Sequence, residues 1–266
     1  MIVLKSAHEI EQMKKAAAVT AAMLDELPSI IAPGISTKDI DHWCEAYIRN
    51  HGMLPAFKGY GGFPAAACVS VNEEVVHGIP SKKRLLREGD IVSVDLGTVC
   101  NGYYSDAART YPVGTISDEH ARLIRVAEES FFEGLKFCRK GNRLGDVSHA
   151  IQTCVESAGF AVVRDFVGHG VGRNLHEDPQ IPNYGKAGRG PLLTPGMTLA
   201  IEPMICTGAY DVKVLSNDWT AVTCDGSWAA HYENTVVITE GEPRILTLLG
   251  AEETNLSSNK EDAVHG

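Results

Sequence analysis

The chain has 266 residues, 44% hydrophobic and 22% charged, enough for a full core, and no apolar run is long enough to span a bilayer. A formal net charge of −10 argues against a broad nucleic-acid surface, because phosphates are held by clustered Lys and Arg; "SKKRLLR" (81–87), the only basic cluster, reads as a solvated turn. Seven scattered cysteines with no CxxC pair argue against a disulfide scaffold or a zinc-thiolate site and point to a reduced cytoplasmic setting.

"MIVLKSAHEIEQMKKAA" enters a helical pattern almost at once, leaving no room for a signal or transit peptide. Ser6 and Glu9 form a capping-box pattern, and Ile10, Met13, Ala17, Leu24 and Leu27 share the face that follows. Thr37 is placed to cap a second helix carrying Ile40, Cys44, Tyr47 and Ile48, with Gly52 just past its end. Strand-like runs come next. In "VSVDLGTVCNGYYSDAART" (92–110), Asn101-Gly102 is a strong two-residue hairpin signal. Ideal register then sets Gly97 opposite Asp106 and makes Asp95 a diagonal neighbour of Asp106 on the same face, about 7–8 Å away at the backbone.

A third helix is predicted over 118–138 from Leu123, Val126, Phe131 and Leu135, and a fourth over 144–158 from Val147, Ile151 and Val155, with Gly159 ending the pattern. "VGHGVGRNLHEDPQIPNYG" (167–185) offers His169 between glycines, read as a Gly-His-Gly loop that fixes one ring, and His176 before an acidic Pro turn. It is not a nucleotide loop, since the third glycine position of that pattern falls on Arg173. "TLAIE" and "HYENTVVIT" deliver Glu202 and Glu233 on the last strands. Residues 251–266 read as a polar, disordered tail after a single domain over 1–250.

One offset recurs through these elements. Gly34 and Gly141, Asp39 and Asp146, His42 and His149, Gly52 and Gly159, Gly89 and Gly196, and Asp95 and Glu202 are all 107 positions apart. "LLREGDIVSVD" lies over "LLTPGMTLAIE". An internal duplication accounts for this, with pseudo-equivalent α+β halves of about 1–114 and 115–250 sharing one curved sheet. Each half delivers acids from matching strand positions, and a pseudo-twofold axis brings them together. Four carboxylates in one cleft either take up protons or are held ionised by cations. Oxygen ligands with one imidazole suit Mn, Fe, Co or Zn.

Asp95, Asp106, His169, Glu202 and Glu233, in "VDLG", "YSDAARTYPVG", "GHGVGRNLHE", "AIEPM" and "HYENTVVIT", resemble the five metal ligands of the methionine aminopeptidases of family M24, closest to the bacterial (type I) group. The likeness runs from about residue 3 to 248 and includes "GYGGFPAAACVSVNEEVVHGIP", "KGNRLGDVSHAIQ" and "NDWTAVTCDG". It implies the α+β pita-bread fold with internal pseudo-twofold symmetry. It also implies two divalent ions, bridged by Asp106 and Glu233, with Asp95 on one and His169 and Glu202 on the other. Glu202 is then the proton shuttle, while His77 and His176 flank the substrate and stabilise the tetrahedral intermediate. Tyr60, Phe63, Cys68, His77 and Trp219 line the methionine pocket, and the neighbouring subsite admits only small second residues.

The departures are Ala229, His231 and Asn234, where the family often shows Ser, Gln and His. Ala229 removes a hydroxyl from a site for a monovalent cation, and His231 adjoins Glu233. The implied partners are nascent-chain N-termini, met by a monomer near the ribosome, with no nucleic acid or membrane bound. Two alternatives remain: a Xaa-Pro aminopeptidase or dipeptidase of the same fold, and a non-catalytic binding protein built on it.

Overall fold

Hydroxyl caps start the first two helices. In the computed structural model, which describes residues 1–250, Ser6 and Glu9 close a reciprocal capping box on α1 (Ala7–Glu26). Ser36 and Asp39 do the same for α2 (Thr37–Asn50). The expected cap, Thr37, is instead the first helical residue. Its hydroxyl is taken up by Ser81, accepting from the Ser81 N–H at 2.9 Å and donating to the Ser81 carbonyl at 3.2 Å. The second pair is α3 (Asp118–Leu135), three residues shorter than expected, and α4 (Leu144–Ser157). The segment 251–266, expected to be a disordered tail, lies outside the described residues. No helix among the described residues is long and apolar enough to cross a membrane.

The strands of the first half are β1 (Leu54–Pro55), β2 (Ala67–Val71), β3 (Glu74–Val76), β4 (Ile91–Cys100) and β5 (Tyr103–Pro112). Those of the second are β6 (Ala161–Val162), β7 (Gly168–Gly170), β8 (Glu177–Ile181), β9 (Thr198–Ile201), β10 (Met204–Cys206), β11 (Val212–Val214), β12 (Ala221–Thr223), β13 (Ala229–His231), β14 (Asn234–Val237) and β15 (Arg244–Ile245). Asn101 and Gly102 both take positive φ (51° and 77°), the geometry of a tight hairpin turn. The β4–β5 ladder then sets Gly97 opposite Asp106 and Asp95 opposite Ala108, the register expected from the turn.

The 107-residue offset is present in the backbone. Gly34 and Gly141 have φ of 93° and 92°, and Gly89 and Gly196 have 91° and 92°, values an L side chain rarely tolerates. Isolated bridges join Ser36 to Leu85 and Arg143 to Leu192, positions related by the same offset. Leu86 N–H donates to Ile35 O at 2.8 Å, and Leu193 N–H to Asn142 O at 2.8 Å. Each half packs its helix pair on its own sheet. Met23, Ile40, Cys44 and Ile48 lie on Val69, Val92, Val94 and Leu96. Leu123, Phe131, Val147 and Ile151 lie on Ile181, Leu199, Ile201 and Val236. Truncating a fully buried side chain such as Phe131 in such a core costs about 3–5 kcal/mol.

The strands form four hydrogen-bonded sheets among the described residues, where one continuous sheet was expected. β5 belongs with β4, β2 and β1, while β14 belongs with β15, β9, β7 and β8. Between β5 and the segment running from β13 into β14, threonine hydroxyls replace a ladder. Thr235 Oγ1 accepts from Asp106 N–H at 3.1 Å and donates to Asp106 O at 2.9 Å. Thr110 Oγ1 accepts from His231 N–H and donates to His231 O, both at 2.9 Å. One direct bond runs from Glu233 N–H to Ala108 O at 3.0 Å. This seam between the halves carries the acids.

Candidate metal centre

Asp95 and Asp106 project from β4 and β5. Glu202 and Glu233 sit immediately beyond the paired ends of β9 and β14, where Ile201 faces Asn234. His169 is central in β7, which lies between β8 and β9, so the expected Gly-His-Gly loop is a strand. Its glycines are required by close backbone packing. A Cβ on Gly168 would lie 2.4 Å from the Ala200 carbonyl oxygen, and one on Gly170 would lie 2.2 Å from that of Asp178. Gly168→Ala is therefore expected to destabilise the protein by about 1–3 kcal/mol, read as a lower midpoint in urea at unchanged slope.

All five residues line one cavity of about 870 Å³, together with Tyr60, Phe63, Cys68, His77, His176 and Trp219. Asp106, His169 and Glu233 offer ligand atoms within 4.8 Å of one another. His169 Nε2 lies 3.6 Å from Asp106 Oδ2 and 3.6 Å from Glu202 Oε1. Its Nδ1–H donates to Gly170 O at 2.9 Å, which leaves the Nε2 lone pair facing the acids. One oxygen on each of Asp95, Asp106 and Glu233 is buried with no hydrogen-bond partner. Buried oxygens of this kind are costly unless something binds them.

The electrostatics agree. Burial, opposed by hydrogen bonds to Asp106 and Glu233, pushes the Asp95 carboxyl up to about 7. Burial first and the neighbouring carboxylates second hold Asp106 and Glu233 well above the ordinary range, and burial with the Asp95 charge does so for Glu202. Burial lowers His169 to about 3, so its ring is neutral, as a ligand must be. Inward-facing oxygens without partners, a neutral imidazole and mutual repulsion among acids together fit divalent cations.

The wall beside these groups is aromatic and apolar. Phe63 stacks edge-on to Trp219 at 5.1 Å between ring centroids, and Cys68 is paired with Asp95 across β2 and β4. His77 packs edge-on to Phe166 at 5.4 Å and has φ of 59°. Burial takes its pKa down to about 4. His176 faces the His169 ring at 4.2 Å, and its Nδ1 lies 2.8 Å from the Tyr60 hydroxyl.

Sequence reasoning missed Phe57, Phe166 and Leu175, which complete this wall, because nothing in the chain pattern distinguishes them from core residues. It also missed Arg109, although a cation inside the buried strand "DAARTY" is itself a signal. Among the departures, Ala229 is buried in β13 with its N–H on Asn72 O at 2.8 Å. His231 is buried with Nε2 3.7 Å from Glu202 Oε2, beside Glu202 more than Glu233. Asn234 is buried and accepts from Arg109 and Thr247.

A profile of metallopeptidase family M24 matches residues 11–240. The methionine aminopeptidase of Clostridium acetobutylicum is 57% identical over 248 residues, 93% of this chain and 99% of that protein. Methionine aminopeptidase 1 of Bacillus subtilis is 53% identical over 247 residues, again 93% of this chain and 99% of that one. The crystal structure of methionine aminopeptidase from Thermotoga maritima has a TM-score of 0.92 at 53% identity, covering 93% of this chain and 100% of that one. Prolidase from Pyrococcus furiosus, 23% identical with a TM-score of 0.75 over 92% of this chain and 65% of its own, shares the fold alone. The pita-bread α+β architecture, the acids gathered at its seam and the full-length likeness lead to one assignment: the chain belongs to metallopeptidase family M24, among the methionine aminopeptidases.

Proposed function

We propose that this cavity releases the N-terminal methionine of peptides and nascent proteins whose second residue is small, with two divalent ions held by Asp95, Asp106, His169, Glu202 and Glu233. Such ions, when bound, acidify a water molecule and polarise the first peptide carbonyl. The observation that carries the reading is the set of partnerless buried carboxylate oxygens around a neutral imidazole, beside an apolar aromatic pocket, in a chain of this family.

The remaining chemistry falls to the chain itself. Phe63, Trp219 and Cys68 enclose the methionine side chain, and the flexible thioether packs against aromatic edges. Glu202 lines the cavity 3.6 Å from His169 Nε2, placed to carry a proton from the attacking water to the leaving amine. The Tyr60 hydroxyl donates to His176 Nδ1, which puts the ring proton on Nε2, ready to donate to the oxygen that gains charge. His77, neutral through burial, steadies the peptide on the facing wall. The reading extends to action on emerging chains in the cytoplasm by a single copy of the protein.

Metal-dependent release of methionine from Met-Ala-Ser is the test, with Met-Lys-Ser and Xaa-Pro peptides alongside. Met-Ala-Ser is expected to be favoured on the order of 10²-fold over Met-Lys-Ser. Full activity after thorough chelation, or a preference for Xaa-Pro peptides, overturns the proposal. A protein that binds metal but is inactive on the whole panel leaves only a binding role.

A further inference from the structure

We propose that Arg109 is a positioning residue for the metal centre, its guanidinium fixing the main chain on both sides of the seam so that the Asp106 and Glu233 carboxylates meet at one point. The proposal rests on the reading that these carboxylates hold divalent ions.

Arg109 lies on β5, three residues beyond Asp106. Its Nη1 donates to Ala108 O at 2.8 Å and also to Glu233 O, across the seam. Its Nη2 donates to the side-chain oxygen of Asn234 at 2.7 Å. The guanidinium carbon lies 4.1 Å from the centre of the Tyr232 ring. One side chain from the first half therefore grips three consecutive residues of the second, Tyr232, Glu233 and Asn234, with the acid in the middle.

The hydrogen-bond acceptors are two main-chain carbonyls and an amide, all neutral, so none of them cancels the guanidinium charge. Asn234 is held in turn. It accepts from Thr247 Oγ1 at 3.0 Å, and that hydroxyl accepts from Thr235 N–H at 3.0 Å. Thr235 is the residue that bonds both main-chain groups of Asp106. The chain of contacts thus starts on the strand of Asp106, crosses to the residues around Glu233 and returns to Asp106. Asn234, the departure in "HYENT", supplies the side-chain acceptor that a planar fork needs.

A lysine could supply the charge at this place, but not two donors in one plane or a flat face against Tyr232. Arg109→Lys therefore separates the geometry from the charge. The experiment is a calorimetric Mn²⁺ titration of chelator-stripped wild type, Arg109→Lys and Asn234→Ala, with kcat and KM on Met-Ala-Ser at saturating Mn²⁺ and the unfolding midpoint of each metal-free protein. Arg109→Lys is expected to weaken Mn²⁺ binding on the order of 10- to 100-fold and to lower kcat with KM little changed. Asn234→Ala, which leaves the guanidinium in place, is expected to shift affinity the same way by less. Wild-type Mn²⁺ affinity in Arg109→Lys overturns the proposal, and so does a fall in the metal-free midpoint with affinity intact, which reduces Arg109 to a structural brace. If Arg109→Lys fails to fold, an unchanged affinity in Asn234→Ala overturns it. A wild type that binds Mn²⁺ and cleaves no peptide sinks the aminopeptidase reading instead and leaves this one standing.

Discussion

Glu202→Gln lowers kcat on Met-Ala-Ser by on the order of 10²–10⁴-fold while leaving the metal-free protein as stable as the wild type or more so. The two halves of that expectation come from the same placement. Glu202 is 13% exposed, 3.6 Å from His169 Nε2 and 3.7 Å from His231 Nε2, and among the described residues no other carboxylate pairs with both imidazoles. The amide keeps the shape and gives up both the proton transfer and the charge. In the absence of metal that charge is a liability, because burial and Asp95 both oppose ionisation. Steady-state kinetics in excess Mn²⁺ and thermal unfolding in chelator give the two readings. A kcat within a few fold of wild type removes Glu202 from the proton path.

The four clustered carboxyls should make a pH-dependent contribution to stability of opposite sense with and without metal. Asp95 titrates near 7 in the folded protein against an ordinary 3.8, and Asp106, Glu202 and Glu233 are also raised. Between about 4 and about 7 these carboxyls bind more protons in the folded metal-free chain than in the unfolded chain, so the stability they contribute falls as pH rises through that window and is fully present below it. Buried histidines work the other way. His77, at about 4, and His169 and His231, at about 3, cost stability as pH falls below 6.5. Bound cations stabilise the ionised acids and gain affinity as protons leave. The gap in unfolding midpoint between Mn²⁺-loaded and chelator-treated protein is therefore expected to widen by about 5–10 °C from pH 5 to pH 8. A gap that stays constant across that range contradicts the clustering of four raised carboxyls.

Much of this was legible in the sequence, for identifiable reasons. Side chains that set backbone geometry left clear marks: Asn101-Gly102 gave the hairpin and with it the Gly97–Asp106 register. The glycines at a fixed spacing marked left-handed turns that only glycine occupies cheaply, which is why the duplication could be measured without coordinates. What stayed hidden depends on contacts distant along the chain. Thr37 has the chemistry of a cap, but Ser81 takes its hydroxyl. Gly-His-Gly has the composition of a loop, yet its bare Cα atoms serve strand packing against Ala200 and Asp178. The threonines between β5 and the segment running from β13 into β14 read as ordinary strand residues, because a hydroxyl replacing a ladder bond has no local pattern. Arg109 carries a conspicuous charge, but its acceptors across the seam, Glu233 O and Asn234 Oδ1, lie more than a hundred residues further along the chain.

The repeat that builds the cage is unequal in chemistry. One half contributes two aspartates, and the other contributes two longer glutamates and an imidazole. A cleft of perfect twofold symmetry would accept a polypeptide running in either direction with equal ease, because rotation about the dyad would leave the lining unchanged. Divergence of the copies removes that degeneracy and gives the cleft a head and a tail. Polarity of cleavage, the ability to tell where a chain begins, is then a product of broken symmetry.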